Sequence, residues 1–189
     1  MKNLVFILPI VGILGACNSQ PTVKAENASI AEVTAATNNA VKLQPGKWQT
    51  VVKILSVDAP GLPAAMAGPM KQQMSAMGAQ TVETCVTPEM AAKPPENMFG
   101  GAQNCTYEKF EMTGGKIDAT LVCKGGAGGA PGDLRSTMSG TISGTGYDVT
   151  SESSMSMPAM PGAPAGGKVN TKTQVVGKRI GDCDAPKAG

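Results

Sequence analysis

From about residue 43 onward, apolar and polar positions alternate in short runs, each closed off by glycine or proline. The runs cover Trp48 to Val57, Thr81 to Val86, Thr106 to Met112, Lys116 to Lys124, Arg135 to Ser143, Tyr147 to Met157 and Val169 to Ile180. They are rich in Val, Thr and Ile, whose branched side chains are stiff at χ1 and suit a pleated surface better than a helix. Strands of this length separated by turn residues predict a mainly β domain, an antiparallel curled sheet or partial barrel of about seven strands. One short helix is well marked. Thr87 suits an N-cap, Pro88 the first helical position and Glu89 the positive end of the helix dipole, while Pro94-Pro95 stops the helix within two turns.

The first forty residues follow another pattern. Lys2 precedes thirteen largely apolar residues, Leu4 to Ala16, and the chain turns polar directly after Cys17. That layout predicts a signal peptide over residues 1–16, because a spanning helix needs roughly twenty apolar residues. Leu14-Gly15-Ala16-Cys17 resembles the bacterial lipobox, which implies that Cys17 becomes an acylated mature amino terminus and carries the membrane anchor. Asn18, in place of an aspartate, is similar to the signal for sorting to the outer membrane. Residues 17–42 are poor in large apolar side chains and read as lipidated cysteine and disordered tether. A brief helix over Ala28 to Ala36 is conceivable there, with no evident surface to pack on. The domain itself is expected over residues 43–185.

Composition narrows the chemistry. The chain has no histidine, which removes most zinc sites and the Ser-His and Cys-His nucleophile pairs. Its net charge of +2 implies no nucleic-acid surface. Aromatics after the signal are only Trp48, Phe99, Tyr107, Phe110 and Tyr147, against 24 glycines and 14 prolines, so the core is thin. Cys85, Cys105, Cys123 and Cys183 are an even set in an exported chain and read as two disulfides; closing a loop of about twenty residues in this way stabilises a small core by roughly 3 kcal/mol.

Which cysteines pair depends on the hairpin around Gly114-Gly115. A two-residue turn sets Met112 opposite Ile117, Phe110 opposite Ala119 and Glu108 opposite Leu121, leaving Cys105 and Cys123 on different faces. That register favours Cys85 with Cys105 and Cys123 with Cys183. A three-residue loop with a glycine bulge brings Cys105 opposite Cys123 instead, and leaves Cys85 for Cys183.

Methionine is the one unusual abundance, with twelve residues. Met66, Met70, Met74 and Met77 recur at the spacing of a helical face, interrupted by Gly68 and Pro69, and Met155, Met157 and Met160 lie in MSMPAMPG. Thioether sulfur suits Cu(I), which makes the last three candidate copper ligands; packing and surface adaptability is the preferred reading, and no metal or cofactor is expected. The glycine-rich stretch from Gly125 to Gly132 lacks the Lys-Ser or Lys-Thr of a phosphate loop and reads as a turn. Glu108 and Glu111, three apart on a strand, are expected on opposite faces; Asp182 and Asp184, like Lys178-Arg179, are expected to face water. No catalytic constellation is present.

Pro45-Gly46-x-Trp48, Cys85-Val86-Thr87-Pro88-Glu89, the Cys105 and Cys123 pair around a Gly-Gly hairpin, and Gly177-Lys178-Arg179-Ile180-Gly181-Asp182-Cys183 occur in one order. This set resembles the exported bacterial domain-of-unknown-function family 3617 over about residues 43 to 184. The resemblance implies export, the cysteine pattern and a β architecture, and supplies no activity and no functional residues. The expected protein is thus a non-enzymatic lipoprotein of the bacterial envelope, anchored in the outer membrane and facing the periplasm. Its expected partners are the membrane and either an envelope protein or an apolar ligand. A lipid carrier and a Met-based Cu(I) binder are the alternatives.

Overall fold

The computed structural model describes residues 22–37, 40–92, 104–125, 132–156 and 167–183. They form one antiparallel sheet with strands β1 (Thr22–Ser29), β2 (Gly46–Asp58), β3 (Ala79–Val86), β4 (Cys105–Thr113), β5 (Lys116–Cys123), β6 (Leu134–Ile142), β7 (Gly146–Ser156) and β8 (Lys168–Gly181). Helices α1 (Ile30–Thr37), α2 (Ala64–Ala76) and α3 (Pro88–Ala92) accompany it. The strand order is β1-β4-β5-β6-β7-β8-β2-β3, and the sheet is unclosed, with β1 and β3 as its edges. Each of the seven expected runs is a strand. Thr87 caps α3 as expected, its Oγ1 accepting from the Met90 N–H at 3.2 Å; Pro94 and Pro95 lie outside the described residues.

The eighth strand corrects the expected tether, and three helices stand where one was expected. Residues 22–29 pair along β4, with Val23 opposite Met112, Ala25 opposite Phe110 and Ala28 opposite Tyr107. The cause is the free edge of β4, whose backbone groups need a partner. Helix α1 then starts from a capping box. The Ser29 N–H donates to Glu32 Oε2 at 2.8 Å, and the Glu32 N–H donates back to Ser29 Oγ at 3.2 Å. Val33, only 3% exposed, enters the core formed by Tyr107, Phe110, Met112, Ala119 and Leu121. The surface on which the helix packs, not evident in the sequence, is therefore the apolar side of the β4–β5 hairpin. Helix α2 forms across Pro69 and buries none of its residues; Lys71 Nζ ties it to Asp58 Oδ1 at 2.9 Å.

The hairpin also settles the disulfides. Gly114 and Gly115 take φ of 58° and 80°, the positive values of a two-residue turn, and Met112 faces Ile117 and Phe110 faces Ala119 as expected. The register then shifts between Tyr107 and Lys109, so that Tyr107, not Glu108, faces Leu121. One extra residue inside β4 turns every residue upstream of it to the other face. Cys105 thereby lies opposite Cys123 and bonds it, and Cys85 bonds Cys183. The favoured pairing is corrected to its alternative, with the bulge in the strand rather than in the loop.

The same bulge corrects the expectation for the glutamates. Glu108 pairs with Arg135 and Glu111 with Lys24, each at 2.7 Å, both on the charged side of the sheet. Those cations hold both carboxyls below the usual carboxylate range. Lys47–Glu83, Lys109–Asp118 and Lys172–Glu152 continue this ion-paired face, where exposed pairs are worth little individually.

Candidate binding face

The opposite face is apolar, and α1 covers only its β1-β4-β5 part. Beyond Met138, register sets Val149 of β7 against Val175 of β8, and Val175 against Val52 of β2. All three valines are half-buried. A second apolar row, Leu134, Met155 and Val169, crosses the sheet nearer to α2. Between the rows lies a band of hydroxyls in which Ser151 faces Thr173 and Ser153 faces Thr171. Ser136 Oγ lies 2.9 Å from Ser153 Oγ and 3.3 Å from Ser151 Oγ. The three serine hydroxyls bond one another, with no adjacent base among the described residues, so this band offers hydrogen bonds and no activated nucleophile.

An aromatic clasp closes this face where β2 starts. Trp48 stacks on Tyr147 with ring centroids 5.9 Å apart and planes 14° apart. The Trp48 Nε1–H donates to the Gln44 carbonyl at 2.9 Å, and the hydroxyls of Thr50 and Tyr147 are 2.7 Å apart. Gly177 is needed beneath this ring, since a Cβ there would sit 2.1 Å from Tyr147 Cζ. Arg179 Nε donates to the Pro45 carbonyl at 2.7 Å, and its guanidinium also pairs with Asp182. Gly46, at φ 140°, lies against the Gly181 carbonyl, where a Cβ would come within 2.4 Å. The Pro-Gly-x-Trp and Gly-Lys-Arg-Ile-Gly-Asp-Cys motifs, more than 120 residues apart in sequence, therefore meet as neighbouring parts of β2 and β8. Their job is to join the first and last long strands, with Cys85–Cys183 fastening edge strand β3 across β2.

The expected site residues fall in different places. Met155 belongs to the apolar row, between Leu134 and Val169 in register, whereas Met157 and Met160 lie outside the described residues, as do Cys17 and Asp184. Met70 and Met74 are half-buried on α2, and Met66 and Met77 are exposed. Lys178 is exposed. A depression of about 420 Å³ lies on the charged side, among Glu111, Lys116, Asp118 and Thr141. Sequence reading missed the valine row and the serine band. Alternation within each strand signals which residues share a face, but their meeting depends on cross-strand register.

No curated protein matches this chain. A family model described as a protein of unknown function, DUF3617, matches residues 43–183. The matched span holds the whole clasp, both disulfides and seven of the eight strands, and leaves β1 and α1 outside it. The chain belongs to the DUF3617 family of proteins of unknown function.

Proposed function

We propose that this chain is a non-enzymatic lipoprotein, anchored through Cys17 in the outer membrane on its periplasmic side, whose domain binds an apolar or lipid-like ligand on the sheet face that α1 leaves open. The observation that carries the binding reading is the half-buried Val149-Val175-Val52 row beside the hydroxyl band. An apolar floor with a few fixed polar groups is the usual composition of a ligand site. The anchor reading rests on the lipobox-like Leu14-Gly15-Ala16-Cys17, and the non-enzymatic reading on a chain without histidine.

Native mass spectrometry of the protein purified from the envelope tests both halves. The amino-terminal peptide should carry acyl mass that Cys17→Ser abolishes. The intact protein should retain an apolar adduct that is reduced in the Val149→Thr/Val175→Thr variant, which keeps side-chain shape but makes the floor polar. A bare polypeptide mass, with or without added lipid, would sink the ligand reading.

A further inference from the structure

The start of β1 fixes how far the domain can sit from its anchor. Only residues 18–21 separate Cys17 from Thr22. Even a fully extended chain spans at most about 3.6 Å per residue, so Thr22 lies within about 18 Å of Cys17. Thr22 is at a defined end of the sheet. It pairs with Thr113, directly before the Gly114-Gly115 turn. That turn is bonded to β6 through Ile142 N–H to the Gly115 carbonyl at 2.7 Å. The β6–β7 turn beside it receives Gln44 N–H at Gly144 and Arg179 N–H at Thr145, at 2.8 and 2.9 Å. One end of the molecule thus gathers the amino-terminal attachment, two turns, the start of β2 and the end of β8.

Charge at this end is asymmetric in a useful way. Lys42, Lys116 and Lys178 are exposed, and no carboxylate is paired with any of them among the described residues. Of the acids nearby, Glu111 is paired with Lys24, Asp118 with Lys109 and Asp182 with Arg179, whereas Asp148 accepts the neutral Gln174 amide. Exposed Glu89 of α3, next to the β3 end that pairs with Gly46, has no cation partner among the described residues, which leaves three unpaired lysines against two such acids. Further along the β1 edge and on α1, Glu26 and Glu32 are exposed, and they oppose laying that edge on an anionic surface.

We infer that this turn end of the sheet rests on the lipid headgroups, strands upright, with Lys42, Lys116 and Lys178 against anionic phosphates. This rests on the anchor reading above. The attraction acts within a Debye length, about 8 Å at physiological salt, a separation that lies inside the reach of the short connection and that the lysines then hold. The opposite end, with α2, and both sheet faces then stand clear of the bilayer.

Lysine acetylation footprinting tests the orientation. Full-length processed protein is reconstituted in vesicles of phosphatidylethanolamine and phosphatidylglycerol and compared with the same protein in neutral detergent micelles. Lys42, Lys116 and Lys178 should react about fivefold more slowly in vesicles, while Lys53 and Lys168, also exposed, should be unchanged. The mass of the amino-terminal peptide is read from the same sample. An unacylated Cys17 would overturn the anchor and the orientation together. An acylated Cys17 with equal reactivity at all five lysines, or with Lys53 and Lys168 as the protected pair, would overturn the orientation alone.

Discussion

Tyr107 packs its ring edge-on to Phe110, with centroids 5.4 Å apart, and is only 2% exposed. Burial disfavours the phenolate and pushes the hydroxyl up from its ordinary 10.0 to about 12. A group whose pKa is raised on folding stabilises the fold fully below its unfolded value and loses that contribution as pH rises through the folded value. Stability should therefore fall between pH 10 and pH 12, by on the order of 2 kcal/mol from this residue. Urea midpoints taken across that window should fall less in Tyr107→Phe, which keeps the ring and removes the titration. An equal fall in both proteins would show that Tyr107 does not carry the effect. By simple alternation Tyr107 falls on the face away from Phe110, so its place in the core comes from the β4 bulge, whereas Phe110 was readable as core from the sequence alone. The seat of Tyr147 over Gly177 was not, because those two residues are thirty apart and meet only through strand pairing.

Seven strands were legible as elements because each carries β-branched residues and ends at glycine or proline. Strand β1 was not: Val23 and Ala25 alternate with Lys24 and Glu26 but carry little apolar bulk, and Asn27, with φ of 50°, breaks the alternation before Ala28. It is a strand because β4, some ninety residues later, offers an edge to pair with. The capping pair Ser29 and Glu32 was the local signal for α1, and its apolar neighbours Ile30 and Val33 mark the buried side. The β1-α1 unit hangs on few buried side chains, so Val33→Asp should release it without unfolding the sheet. Hydrogen exchange should then quicken across residues 22–37 and at the β4 amides bonded to β1, while the β7, β8 and β2 amides keep their protection. Uniform loss of protection would mean that the unit and the sheet fold as one. The candidate face follows the same division: its membership was written in strand alternation, and the Ser136, Ser151 and Ser153 cluster was set by register alone.

At the scale of the whole molecule, the two disulfides close loops of different reach. Cys105 and Cys123 are 18 apart in sequence, and Cys85 and Cys183 are 98 apart. In the chain-entropy picture these are worth roughly 3 and 4.7 kcal/mol. Replacing Cys85 and Cys183 together by serine should lower the thermal midpoint more than replacing Cys105 and Cys123, and the reverse order would mean that local strain or the buried Cys123 outweighs loop length. The sequence alone left this pairing open because one bulge decides it. The pairing is also nested, the inner bond lying wholly within the outer loop. An oxidant that joins these four thiols in their order along the emerging chain links Cys85 to Cys105 first, which is the wrong partner. A chain that matures in this way must exchange that bond through a mixed disulfide before β3 and β8 can be fastened. Its yield should then depend on a shuffling catalyst as well as on an oxidising one, a biosynthetic cost imposed by a single additional residue in β4.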